Sequence, residues 1–135
     1  MFRLSIVTPE KPYFEDDCAA LVVPGSEGYL GVLTDHAPLI TALKPGQIKV
    51  TESDGTGERF FAVSGGFFEV AHNHATILAE SIEEPGAIDM KRAEAAVARA
   101  RKRLAERPEG LDAVRAEQAL WRAKNRLEIA RNHSN

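Results

Sequence analysis

An N-terminal β-sandwich followed by a C-terminal antiparallel two-helix hairpin, mainly β plus α, is the fold class this sequence predicts. Three observations carry it. Residues 1–84 hold short apolar runs at strand period, parted by Gly, Pro, Asp and Ser clusters. Residues 88–135 switch to helical spacing. Between them, EEPGAI at 83–88 carries Pro85-Gly86, a pair that punctuates both strand and helix.

The first strand is Phe2, Leu4 and Ile6 alternating with Arg3 and Ser5, which buries every second side chain. ALVVP, YLGVL, QIKVT, RFFAV, FFEVA and ATILAE follow in turn. SDGTGE at 53–58 predicts a hairpin loop, and Gly65-Gly66 a second tight reversal. Many short strands with no helical period between them argue a sandwich or flattened barrel. Past the boundary, Ile88 stands outside a helix that Asp89 caps. Ala93, Ala96, Val97, Ala100 and Leu104 form its apolar stripe, and Ala116, Leu120, Ala123, Leu127 and Ala130 that of a second helix. ERPEG at 106–110 breaks the chain between them, so the two helices pair antiparallel. Their seam is mostly alanine. Each Leu-to-Ala difference removes about three carbons, at roughly 0.8 kcal/mol per buried CH₂. Helices of this length are marginal alone in water. The hairpin therefore depends on docking against the sandwich or a partner, and is able to undock.

Composition narrows the function classes. With 44% hydrophobic and 27% charged residues, the chain is not wholesale disordered. No apolar run approaches the roughly 18–20 residues that cross a bilayer, so direct membrane insertion is not expected. MFRLSIVTPEK has no signal-peptide h-region, and the single Cys18 excludes an internal disulfide, so the expected compartment is the cytosol. Within CAALVVP, Cys18 reads as a small buried hydrophobe. Charge divides unevenly: residues 1–87 hold 5 Lys/Arg and 13 Asp/Glu, residues 88–135 hold 12 and 7. The basic half is set to face something acidic or phosphorylated.

On the helices, Arg92, Arg99 and Arg103 fall about 100° to one side of the first apolar stripe, and Arg115, Arg122 and Arg126 take the same offset on the second. The two-fold of an antiparallel pair leaves both sets on one broad face. Guanidinium forks suit phosphates and carboxylates, so this face fits a nucleotide, nucleic acid or an acidic protein surface. Other candidates are weaker. His72 and His74 in AHNHA would share a strand face as metal ligands do, but no third ligand is recognisable and no metal site is expected. Asp35-His36 with Ser26 or Ser64 lacks a nucleophile-elbow context. Gly25, Gly28 and Gly31 lack the Lys-Ser/Thr of a phosphate loop and read as turn glycines. No catalytic residues are expected.

PGSEGYLGVLTDHAPLITALKPGQI, from Pro24 to Ile48, resembles the signature segment of the epsilon subunit of F-type ATP synthases. Gly25, Gly28, Gly31, Val32, Leu33, His36, Ala37 and Pro38 stand where that pattern expects them; VSGGFFEV at 63–70 and the opening LSIVTPEKPYFE are similar too. The resemblance covers essentially the whole chain. It implies a sandwich of about ten strands over 1–84 and a regulatory hairpin over 88–135. It also implies a non-catalytic central-stalk subunit bound to gamma and seated near the ring of c subunits, peripheral to the cytoplasmic face of a bacterial inner membrane. Gly31 and the His36-Ala37-Pro38 turn suit a close-packed, pre-formed loop at those contacts, with His36 either bracing the turn or touching a partner.

The hairpin implied by the resemblance is docked in one state and extended along gamma in another, where it blocks ATP hydrolysis. Its basic face, Arg103 and Arg115 included, would then meet the catalytic alpha/beta hexamer. IDMKRA at 88–93 is similar to the I/L-D-x-x-R-A motif of relatives that bind ATP as a regulatory ligand. That likeness would put Glu83, Ile88 and Asp89 at the adenosine and Arg92, Arg99, Arg122 and Arg126 around the phosphates. No cofactor is required. The alternative is a basic helical-hairpin module for nucleic acid. Against it stand an overall acidic chain and arginine rows with no aromatic for base stacking, so no specific nucleic acid is expected.

Overall fold

The computed structural model describes residues 1–133. Two compact units divide the chain, Met1–Glu83 and the segment from Glu84 on. Among the described residues the first unit has nine strands: β1 (Phe2–Val7), β2 (Pro12–Gly25), β3 (Gly28–Leu33), β4 (Leu39–Leu43), β5 (Gly46–Glu52), β6 (Glu58–Val63), β7 (Gly66–Ala71), β8 (His74–Ala79) and β9 (Ile82–Glu83). They follow the order β1-β8-β7-β4-β2-β5-β6-β9, with β3 beside β2 and β1 paired to β2 as well.

The fourteen-residue β2 serves both halves of this sheet. Its first part pairs antiparallel with β1, from Phe2↔Cys18 to Val7↔Pro12, and its second part with β3 and β5. A register shift between Cys18 and Ala20 marks the bulge where the strand turns from one half to the other. Leu4, Ile6, Phe68, Val70 and Ile77 from one half then meet Leu21, Val23, Ile48, Val50 and Phe61 from the other in a single core. Cys18 belongs to that core; burial, and then the neighbouring Asp17, push its thiol up to about 11.

Several local expectations are corrected. β2 begins at Pro12 rather than Ala20, because its acidic stretch is answered across the ladder: Arg3 lies 3.6 Å from Glu15 and 3.5 Å from Asp17. Gly65-Gly66 is not a hairpin reversal, since β6 pairs with β5 and β9 whereas β7 pairs with β4 and β8. It is a crossover between the halves. Gly66, at φ +143°, packs so tightly that a Cβ would run into the Leu78 carbonyl. The tight reversal lies instead at His72-Asn73, both left-handed (φ 52° and 58°), between the paired Ala71 and His74. His72 is a turn residue, so the two histidines do not share a strand face.

The second unit opens with a 3-10 turn, Pro85–Ala87, that packs on the later of two helices, α1 (Met90–Glu106) and α2 (Ala113–His133). Both helices start alike. Asp89 Oδ1 accepts from the Arg92 amide at 3.1 Å, and Asp112 Oδ1 from the Arg115 amide at 3.0 Å. α1 ends at left-handed Arg107, whose N–H donates to the Arg103 carbonyl at 2.9 Å. Ala93 and Val97 pack with Ala123 and Leu127 along the seam, flanked by Met90, Ala96 and Leu120. Among the described residues no helix is long and apolar enough to cross a membrane.

Candidate functional site

Spacings of seven and eleven residues hold Arg92, Arg99 and Arg103 of α1 within about 20° of one line along the helix, and do the same for Arg115, Arg122 and Arg126 of α2. The antiparallel seam sets these lines side by side in three rows: Arg92 across from Arg126, Arg99 from Arg122, Arg103 from Arg115. Arg92, Arg99, Arg103 and Arg115 are exposed; Arg122 and Arg126 are half-buried. None of Arg92, Arg99, Arg103, Arg115 and Arg122 forms an ion pair with a described residue. Clustered like charges at this range repel, and a polyanion lying across the rows relieves that repulsion.

The opposite face of the hairpin behaves differently. An open groove of about 750 Å³ lies there between the helices, lined by Glu94, Arg101, Lys124, Glu128 and Arg131 among others. Its charges are of both signs, and Arg131 reaches Glu94 at 3.6 Å. Trp121 lines a neighbouring groove with Leu120 and Lys124, away from the arginine rows. The groove therefore mixes charges of both signs, whereas the other face gathers the arginine rows.

Ile88 is buried at the head of α1, and Asp89 spends one carboxylate oxygen on the helix cap. Glu83 ends β9 in the sandwich unit, opposite Ala62.

The sandwich candidates separate. Gly31 is not in a packed loop. It sits mid-strand in β3 opposite Val22, and a Cβ there would meet nothing within 4 Å. Its missing side chain answers no crowding within the unit, which leaves bare backbone open to close approach from outside. His36 and Pro38 lie in the link from β3 to β4. The His36 Nδ1–H donates to the Ala37 carbonyl at 2.6 Å, since a carbonyl only accepts, and its amide donates to Leu33 at 3.2 Å. His36 thus braces its own turn. Sequence reasoning missed the residue that anchors this turn, Asn73. Its Oδ1 accepts from the amide of left-handed Asp35 at 2.9 Å, and its Nδ2 donates to the Met1 carbonyl at 2.9 Å. An asparagine in a two-residue hairpin turn was the available signal. Ser26 bonds Thr41 and Ser64 bonds Ser81, so neither serine engages His36.

Comparison with known proteins matches residues 1–85 to the ATP synthase Delta/Epsilon chain β-sandwich domain and residues 87–131 to the long α-helix domain of the same chains. The ATP synthase epsilon chain of Desulforamulus reducens is 48% identical over 104 residues, covering 76% of each chain. That of Pelotomaculum thermopropionicum is 48% identical over 105 residues, covering 78% of this chain and 77% of its own. A chain in the Euglena gracilis mitochondrial ATP synthase structure (OSCP/F1/c-ring) shares the fold, with a TM-score of 0.82 at 23% identity over 96% of this chain and 80% of that one. With both domains matched in sequence order, the chain belongs to the ATP synthase delta/epsilon chain family, among its epsilon chains.

Proposed function

We propose that this chain is the central-stalk subunit that joins the gamma subunit to the ring of c subunits, with a hairpin that regulates ATP hydrolysis and binds ATP. It carries no catalysis of its own and sits peripherally at the cytoplasmic face of a bacterial inner membrane. The sandwich supplies the rotor contacts: the open backbone at Gly31 and the braced His36–Pro38 turn are rigid features a partner can seat on without reordering them. The hairpin supplies regulation. Extended along gamma it presents Arg103, Arg115 and their neighbours to the alpha/beta hexamer and blocks hydrolysis; compact, it does not.

The observation that carries the ATP reading is the set of arginine rows contributed by both helices, of which Arg92, Arg99 and Arg122 form no ion pair with a described residue. A triphosphate lying across Arg92, Arg99, Arg122 and Arg126 bridges α1 to α2 where the alanine seam alone is weak, with Ile88 and Asp89 at the adenosine end. A ligand that binds only the compact hairpin stabilises it by RT ln(1 + [L]/Kd), about 2.7 kcal/mol at a hundredfold excess over Kd, and so opposes extension.

Calorimetry of the chain with ATP tests this reading. A single site is expected, lost in Arg92→Ala and in Arg126→Ala; no heat at millimolar ATP would leave Asp89 a helix cap and nothing more. Deleting residues 88–135 is expected to raise ATPase activity of the assembled complex while gamma binding persists. Unchanged activity would remove the inhibitory role, and lost gamma binding would remove the division of labour.

A further inference from the structure

The two helices repeat one another. IDMKRAEAAVARARKRLA at 88–105 and LDAVRAEQALWRAKNRLE at 111–128 are identical at nine of eighteen aligned positions, among them the capping Asp, all three arginines of each line and the apolar-stripe pairs Ala100/Ala123 and Leu104/Leu127. The structure turns that repeat into a local two-fold, because both helices are capped the same way and pack antiparallel. Its axis passes between Arg99 and Arg122, the middle row. The operation carries the open-end set Arg92, Arg99, Arg122 and Arg126 onto a turn-end set Arg115, Arg122, Arg99 and Arg103.

We propose that this turn-end set is a second phosphate-binding subsite, quasi-equivalent to the first and sharing its middle row. The proposal builds on the ATP reading of the open end but tests apart from it. Among the described residues, Arg99, Arg103, Arg115 and Arg122 form no ion pair, so the positive charge of the turn end is uncompensated. The repeat breaks where the two ends must differ. Continued one position past the repeated segments, it places Glu106 at the end of α1 against Ile129 of α2. Ile129 is buried and Glu106 exposed. A buried isoleucine adds no charge to the open end, whereas a carboxylate beside the arginines gives a base nothing and repels a phosphate. The turn end is therefore a subsite for a bare di- or triphosphate chain, weaker than the open end. The shared middle row lets only one of the two fill at a time.

Titration of the full-length chain with sodium tripolyphosphate and with ATP, without divalent metal and at fixed ionic strength, tests this. In Arg92→Ala/Arg126→Ala, ATP binding is expected to vanish while tripolyphosphate still binds, with amide shifts centred on Arg103 and Arg115. In Arg103→Ala/Arg115→Ala, ATP affinity should stay within about threefold of the parent, a small change on the affinity scale. Adding Glu106→Gln to the first double variant should tighten tripolyphosphate by about two- to fivefold, the worth of one exposed charge. All these positions are exposed or half-buried, and alanine favours helix, so the variants keep their fold. Tripolyphosphate binding abolished by Arg92→Ala/Arg126→Ala, or indifferent to Glu106→Gln in that background, would overturn the subsite while leaving the open-end reading intact. Tripolyphosphate bound at Arg103 and Arg115 with no ATP binding by the parent chain would do the reverse.

Discussion

The largest fully buried side chains, Phe61, Phe68, Leu4, Ile6 and Leu21 among them, all belong to the sandwich, whereas among the described residues of the hairpin the completely buried positions are alanines, Ala93 and Ala130. The sandwich also closes its ladders over non-local pairs, such as β1 with β8, and ties its edge turns through Asn73. The hairpin rests on two Asp caps and a narrow seam. One unit is held by burial of large side chains and the other by a seam rich in alanine, and the proposed function has a ligand or a partner decide the state of the second. The contrast suits the proposed role, in which the part that bears rotation does not yield and the proposed regulatory arm does.

Core truncation should expose the contrast most sharply. Phe61→Ala removes a ring packed edge-on against Tyr13 and Phe14, with centroids at 5.9 and 5.7 Å, and is expected to cost about 3–5 kcal/mol in urea unfolding of the sandwich. Leu127→Ala, in the seam, should cost about 2 kcal/mol, read as lost helical signal with the sandwich transition unmoved. A single shared transition for both variants would contradict independent units. Removing a cap is smaller still: Asp89→Ala and Asp112→Ala are each expected to cost about 1 kcal/mol of helix stability. Asp89→Ala alone should weaken ATP binding, which separates the ligand role of that carboxylate from its capping role. The smallest effect concerns Cys18. Its pKa is higher folded than unfolded, so its contribution to sandwich stability is present below about pH 9 and is lost as pH rises toward 11. Cys18→Ala should flatten the stability profile in that window and leave the hairpin signal unchanged.

What could be read from the sequence follows the range of the interactions involved. The helices were legible because 3.6-residue periodicity and Asp caps are local, and the arginine rows followed from phase alone. The start of β2 was not, because DD and E inside a strand make sense only beside Arg3, which sits on another strand. β4 and the two-residue β9 likewise owe their existence to partners far along the chain. Gly65-Gly66 reads as a tight reversal and is a crossover, since two glycines permit a turn without stating which strands they join. Asn73 was hidden for the same reason: the amide it accepts from belongs to Asp35, 38 residues away.

Native-state hydrogen exchange across the full chain, with and without ATP, tests the central claim most directly. Without ligand, the amides of Ala93–Leu104 and Ala116–Leu127 should exchange through an opening well below the free energy of the core strands. Saturating ATP should raise their protection by RT ln(1 + [L]/Kd) and leave β5 and β7 unmoved. Helix and strand amides exchanging at one common free energy, with no change on adding ATP, would contradict the account.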